Sequence, residues 1–242
     1  MGATNWEFKN RALVFGLVFG LAFSAYAIDP QNSTAALANW LEATLRVDAN
    51  LVARLLFALA TVLLVVAALI RTWASSYLNA NVVYAAEVKT ASLVADGPYR
   101  HMRNPLYFAN LLLAIGLGAI MSRIGFFVAV VAMLAFCYRL IFREESELAT
   151  TQGEKYNRYR KAVPRLWPSL WPKTASAGRQ ANWTAGFKSE FWCWGFAIGV
   201  AAFAITLNTT AFVVILTASV VLLWLSTLVI QRKAGSARPT DP

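Results

Sequence analysis

Six stretches of this chain are apolar, free of proline and close to the length that a helix needs to cross a bilayer. They are Ala12–Ile28, Leu55–Ile70, Leu106–Met121, Ile124–Phe142, Phe191–Leu207 and Ala211–Ile230. A hydrocarbon core of about 30 Å takes roughly 20 such residues. Phe191–Leu207 is short, but Trp192 and Trp194 suit the lipid–water boundary and extend it. Inside lipid every backbone N–H and C=O must find its partner within the protein, so helices are the expected spanning form. The expected fold is therefore all-α, a polytopic membrane bundle of about six transmembrane helices. Composition agrees, with 58% apolar and only 14% charged residues among 242, against about 25% charged in a typical soluble domain.

The first stretch imitates a secretory leader. Lys9 and Arg11 precede it, and Ala25-Tyr26-Ala27 ends it with small residues. We read it as a retained span. Cys137 and Cys193 both fall within spans, where a thiol packs as a small apolar group. With a single histidine beside them, no disulfide or zinc set is available, and no metal site is expected.

A net charge of +10 invites a nucleic-acid reading, but the charges alternate along the chain. Lys9 and Arg11 precede the first span, and the following loop carries Asp29, Glu42 and Asp48 against Arg46 and Arg54. Arg71, Lys89, Arg100 and Arg103 come next, and the Ser122-Arg123 turn is nearly bare. A long basic stretch from Arg143 to Lys188 follows; Asn208-Thr209-Thr210 is uncharged, and the tail holds Arg232, Lys233 and Arg238. Basic loops stay cytoplasmic, so both termini and the two long polar segments are expected on that face. The excess charge is then topological, with a further attraction to anionic lipid of about 1 kcal/mol per residue. No nucleic-acid partner is expected, because no basic fold motif accompanies the charge.

The chain divides into residues 1–70, two spans with an outer loop; 71–170, a polar core around a helical hairpin; and 171–242, a linker, two further spans and a polar tail from Lys233. Asn32, Asn182 and Asn208 stand in glycosylation-type triplets, a weak pattern by itself.

Residues of functional type gather in two blocks. The first runs Asp96-Gly97-Pro98-Tyr99-Arg100-His101-Met102-Arg103-Asn104-Pro105-Leu106-Tyr107. The second begins Arg143-Glu144-Glu145-Ser146-Glu147-Leu148 and continues through Gly153, Tyr156 and Tyr159 to Val163-Pro164-Arg165-Leu166-Trp167-Pro168. Two spans joined by the tight Ser122-Arg123 turn lie between them, and an antiparallel hairpin returns both blocks to one membrane edge. Pro105 suits a first helical position, and the amides of a helix start can hold an anion. Glu144 and Glu145 end a span, where the helix dipole opposes carboxylates. They need a cation, either Arg139 or Arg143 or a ligand ammonium. Tyr156, Tyr159 and Val163 share one helical face, with Lys155, Arg158 and Arg160 placed toward water. That segment reads first as an interfacial amphipathic helix and second as a pocket lid. His101, among arginines, reads as a positioning residue.

The ordered set of Gly-Pro-Tyr-Arg-His-Met-Arg-Asn-Pro-Leu-Tyr, a hairpin, Glu-Glu-x-x-Leu, Gly-x-x-Tyr-x-x-Tyr and Val-Pro-Arg-Leu-x-Pro resembles a known family. It is similar to the isoprenylcysteine carboxyl methyltransferase and phospholipid methyltransferase superfamily, over about Arg71 to Pro168. The resemblance implies S-adenosylmethionine as cofactor, bound at the cytoplasmic mouth of the helices. It implies cofactor contacts from Gly97, Pro98, Tyr99, Arg103, Asn104, Pro105, Tyr107, Glu144 and Glu145. Asn104 departs from the family's histidine; an amide still donates and accepts hydrogen bonds but does not titrate. Arg103, Tyr107 and Glu147 are the catalytic candidates, the last two as acceptors of a proton from an amine substrate.

The implied acceptor is lipid-like or otherwise membrane-partitioned, such as an isoprenylcysteine-type carboxylate or a phospholipid amine, with a small hydrophobic thiol or acid as the alternative. A non-enzymatic transporter or scaffold is the rival class. Transporters place ionisable residues near the midplane, whereas here Arg54 and Arg139 alone approach the spans. The alternation of charge sets a direct test. Single cysteines at Ser33 and Thr209, in a chain lacking Cys137 and Cys193, are expected to react with an impermeant thiol reagent on intact cells. One at Ser176 is expected to react only after lysis, and outside labelling there would reverse the orientation.

Overall fold

The computed structural model describes residues 2–78 and 93–236, with backbone alone for 227–236. Lys89 and Arg238 lie outside the described residues. The helices are α1 Asn5–Lys9, α2 Arg11–Ser24, α3 Ser33–Leu45, α4 Ala49–Tyr77, α5 Pro105–Gly118, α6 Arg123–Ala162, α7 Trp183–Thr206 and α8 Thr209–Ser236. Short 3₁₀ turns cover Ala25–Ala27 and Gly97–Arg100. Among the described residues there is no strand, only one isolated bridge between Asn32 and Ser122.

Four helices are long and apolar enough to cross a membrane, namely α4, α6, α7 and the Thr209–Ser226 part of α8. The other two expected spans are shorter apolar helices, Arg11–Ala27 and Pro105–Gly118. Exposed apolar side chains form stripes at helical spacing, Leu13, Leu17 and Leu21 on α2, and Leu51, Leu55, Leu59, Val62, Val66 and Leu69 on α4. Such stripes facing outward are what lipid, rather than water, tolerates. The inner faces are small. Ala60, Leu64, Ala67 and Ala68 of α4 share one core with Leu113 and Leu117 of α5 and with Cys193, Ala197 and Val200 of α7. Close approach of α4 and α7 is fixed by Gly186, where a Cβ would strike the backbone of Thr72 and Ser76.

The outer loop carries a helix, α3. At 14 residues, α5 is about 21 Å long at 1.5 Å per residue, too short for the core by itself. The turn after it closes on Gly116, Leu117 and Gly118 O by backbone bonds, which leaves its own carbonyls in need of donors. The start of α3 meets them: Asn32 Nδ2 donates to Ala119 O and Met121 O, Ser33 Oγ to Gly118 O at 2.9 Å, and Thr34 Oγ1 to Ala119 O at 2.8 Å. Asn32 Oδ1 accepts from Ala35 N at the same time. Asn182 and Asn208 likewise cap α7 and α8. All three asparagines of the glycosylation-type triplets are thus helix N-caps, which is reason enough for their presence.

Polar contacts gather at two opposite ends of the bundle. Tyr26, Asn32 and Asp29 meet the α5–α6 turn at one edge, where Arg123 Nη2 pairs with Asp29 at 2.9 Å. At the other edge Ala3 N donates to Arg139 O, and Glu7 pairs with Arg139 at 2.8 Å. Replacing Asn32 with Ala removes the N-cap of α3 and the amide's bonds to Ala119 O and Met121 O, so a loss of about 1–2 kcal/mol is expected. A lowered thermal midpoint of the purified protein would register it, and an unchanged midpoint would refute this account of α5.

Candidate active site

The hairpin of α5 and α6 returns the two polar blocks to one edge, and they are stitched there by backbone as well as side chains. Arg103 N donates to Pro164 O at 2.9 Å, and Ser169 N to His101 O at 3.0 Å. Tyr159 OH donates to Tyr99 O at 2.7 Å. This return of the chain depends on Gly153, whose φ of +52° breaks α6. Past that break the helix turns back, burying Tyr156, Tyr159 and Val163 against Leu93, Ala95 and Leu148. Lys155, Arg158 and Arg160 remain exposed. The segment is therefore packed on the first block, nearer to the lid reading than to a free interfacial helix.

Glu145 is 6% exposed and is held from three directions. Arg103 Nη2 lies 3.0 Å from one oxygen and Arg165 Nη2 2.9 Å from the other. Asn104 Nδ2 donates to the same carboxylate at 3.3 Å and to Arg165 O at 2.9 Å. The cations that offset this carboxylate are thus Arg103 and Arg165. Arg139 and Arg143, proposed from the sequence, instead pair with Glu7 and Glu147. Asn104 makes no side-chain cap on α5; its amide serves as a donor, the capability that survives loss of a histidine at this position.

Glu144 sits beyond the apolar stretch ending at Phe142 and faces a cavity of about 510 Å³. Tyr107 OH donates to it at 2.7 Å. Burial pushes its carboxyl up to about 6, outweighing the lowering effects of the Tyr107 hydrogen bond and of nearby Arg11. Tyr99, Arg103, Asn104, Pro105, Tyr107, Glu144 and Glu145 all line the cavity. Gly97, Pro98 and Glu147 do not. Gly97, with φ of +57°, lies against the Tyr77 ring, where no side chain fits, and Pro98 is buried in the turn. Glu147 accepts from Arg143 Nε at 2.8 Å, facing away. Of the expected site residues, these three thus stand outside the cavity wall.

Residues outside the two polar blocks complete the cavity wall. Phe8, Arg11, Phe15 and Gly16 bring the N-terminal segment and α2 into the cavity wall. Arg71, Asn110 and Trp192 form its inner polar end. Arg71 had been read as a topology charge, but it is buried and pairs with Glu190 at 2.6 Å. The signal was the presence of a single acidic residue, Glu190, beside an otherwise apolar run. Among the described residues, two buried polar atoms lack a partner, Arg103 Nε and Tyr156 OH. Both residues line this cavity.

Residues 55–155 match the phospholipid methyltransferase family. The match covers α4, the first polar block, the hairpin and the Glu144–Glu145 pair, and it supports a membrane methyltransferase. Among curated proteins, the chain is similar to a nickel-cobalt-cadmium resistance protein of Alcaligenes xylosoxydans xylosoxydans. The two are 28% identical over 100 residues, 41% of this chain and 44% of that protein. It is also similar to a cobalt-zinc-cadmium resistance protein of Cupriavidus metallidurans, 28% identical over 125 residues, 52% of this chain and 55% of the relative. The chain thus spans about half the length of the curated relatives it matches. No solved structure matches it.

A strap between Pro164 and Asn182 closes the edge over the first block. Its anchor is Asp96, 2% exposed, which accepts from Ser176 Oγ at 2.6 Å, Ala177 N at 2.8 Å and Arg179 N at 3.2 Å. Burial by itself would raise the Asp96 carboxyl, but these hydrogen bonds bring it below its ordinary value. A depressed folded pKa stabilises the fold above the unfolded value and loses that contribution as pH falls through the folded one. Asp96→Asn is therefore expected to free the strap at neutral pH and to abolish the part of acid destabilisation that Asp96 causes. Limited proteolysis of residues 164–182 across a pH series would measure both, and an unchanged cleavage rate at neutral pH would contradict the anchor role.

Proposed function

We propose that this protein is an S-adenosylmethionine-dependent methyltransferase whose acceptor partitions into the membrane. The observation that carries the reading is the disposition of Glu144. Its carboxylate faces a cavity at a membrane edge, beside Tyr107 and at the start of α5. The residues present fit the donor: a carboxylate for an ammonium, helix-start amides for a carboxylate, and four tyrosines, Tyr99, Tyr107, Tyr156 and Tyr159, in the wall. Arg103 Nε and Tyr156 OH are two buried groups that a polar ligand would satisfy.

The donor would supply a methyl group on a sulfonium, open to in-line displacement. What the chain contributes is alignment, worth several kcal/mol without covalent catalysis. Glu144 would hold the donor's cationic end, and Glu145, fully engaged by Arg103 and Arg165, would fix the position of Glu144 one residue away. Tyr107, bonded to Glu144, is the group of this site closest to an acid–base role for an amine acceptor; a carboxylate or thiolate needs none. Beyond the polar mouth the wall is Phe15, Phe19, Leu113 and Met133, which suits a chain of methylenes at about 0.8 kcal/mol each. We place both termini and this mouth on the cytoplasmic side, from the basic segments that surround it.

Labelled methyl donor, added to proteoliposomes with total membrane lipid, is expected to give a labelled lipid product. Calorimetric titration with S-adenosylmethionine is expected to show affinity falling as pH drops through about 6, where Glu144 gains its proton. Glu144→Gln should bind about tenfold more weakly and lose that pH dependence, as for a lost charge-assisted hydrogen bond. Full affinity in Glu144→Gln would remove the residue from the donor site, and absence of any labelled product would sink the function.

A further inference from the structure

The cavity has a second polar end, and it belongs to a helix outside the family segment. Glu190 of α7 is 0% exposed, and its carboxylate accepts from Arg71 Nε at 2.6 Å and from Ser75 Oγ at 2.7 Å. Arg71 Nη1 donates to Asn110 Oδ1. The Arg71 guanidinium also lies over the Trp192 ring, 5.1 Å from its centroid. Asn110 is six residues beyond Asn104 on the same helix, so this end lies about 9 Å deeper than the mouth at 1.5 Å per residue. Arg71, Asn110 and Trp192 line the cavity there, next to Leu113, Phe19 and Gly16. A Cβ built on Gly16 meets nothing within 4 Å, so the wall opposite stands open.

A buried ion pair stabilises a fold poorly, because desolvating two charges offsets most of their attraction; an apolar pair of similar volume serves as well or better. Here Arg71 stands in the cavity wall, with Glu190 behind it, fully buried between α4 and α7. The pair's geometry also fixes the guanidinium on three sides, by Glu190, Asn110 and Trp192, which is more than packing needs. We infer that Glu190 is a positioning residue that holds Arg71 and Asn110 as the acceptor-facing end of the cavity. The methyl donor occupies the Glu144 end. On this arrangement α7 is a working wall of the site, and the inference rests on the methyltransferase reading given above. Arg71 meets the polar head of the acceptor, while the head's apolar chain runs out along α2 past Gly16 and Phe15.

The test replaces the pair by apolar residues of similar volume, Arg71→Met with Glu190→Met, in the full-length protein in proteoliposomes. Three quantities are read: the thermal midpoint, S-adenosylhomocysteine binding by calorimetry, and methyl transfer from labelled S-adenosylmethionine to a total lipid extract. The double variant is expected to keep the wild-type midpoint and product affinity but to lose at least tenfold in kcat/KM, chiefly through a raised KM for lipid. Glu190→Gln, which keeps shape and removes charge, is expected to raise the lipid KM in the same sense, and it carries the test if the double variant does not fold. Wild-type transfer by either folded variant would make the pair structural only and overturn the inference. Weakened S-adenosylhomocysteine binding would put Arg71 at the donor end and overturn it equally. If the wild-type protein transfers no methyl at all, the functional reading fails first and this inference falls with it.

Discussion

The organisation of the polar edge depends on one buried carboxylate. Glu145 ends the apolar part of α6, where the helix dipole disfavours it, and two arginines and an asparagine offset that cost. They come from two segments: Arg103 and Asn104 precede α5, and Arg165 follows the break at Gly153. Removing either cation leaves a partly compensated buried charge, which costs about 3–5 kcal/mol in comparable pairs. The three segments are therefore locked to one another. The next residue back, Glu144, is rotated by about 100° on the same helix and is thereby turned to the cavity rather than into the lock.

A second constraint comes from the lipid. The helix α5 is too short to cross the hydrocarbon core unaided, and the carbonyls of its end and of the turn after it are met by Asn32, Ser33 and Thr34. That fixes the depth of Pro105, and with it the depth of Tyr107 and Asn110. The outer edge of the protein thus sets where the site lies at the opposite edge. Because α2 packs against α6 and contributes Phe15, Gly16 and Phe19 to the cavity, the first apolar helix of the chain is also part of this site.

The cavity so formed is polar at the mouth, polar again at Arg71 and Asn110, and apolar between and beyond. Such an arrangement separates a water-borne ligand from a lipid-borne one by depth. It also explains why ionisable residues in the helices, Arg71 and Glu190, lie near the helix ends instead of the midplane. Arg71 stands in the wall of an edge cavity and Glu190 backs it from within the bundle.

Periodicity and length determined most of the fold from the sequence, because a bilayer admits few solutions for an uninterrupted apolar run. The charge alternation required both polar blocks at one edge, and the Ser122-Arg123 turn required them to meet. The order of motifs identified the family segment. What the sequence could not separate were neighbours of like type. Glu144, Glu145 and Glu147 differ only by rotation about a helix, yet Glu144 bonds Tyr107 in the cavity wall, Glu145 is locked there by arginines and Glu147 pairs with Arg143. Gly97 and Pro98 sit beside Tyr99 in the chain but are turned away from the cavity. The partner of Arg71 lies 119 positions away in Glu190, on a helix whose own sequence carries no motif. Such pairings follow from which helix faces pack together, a property of the whole bundle that no local window of residues contains.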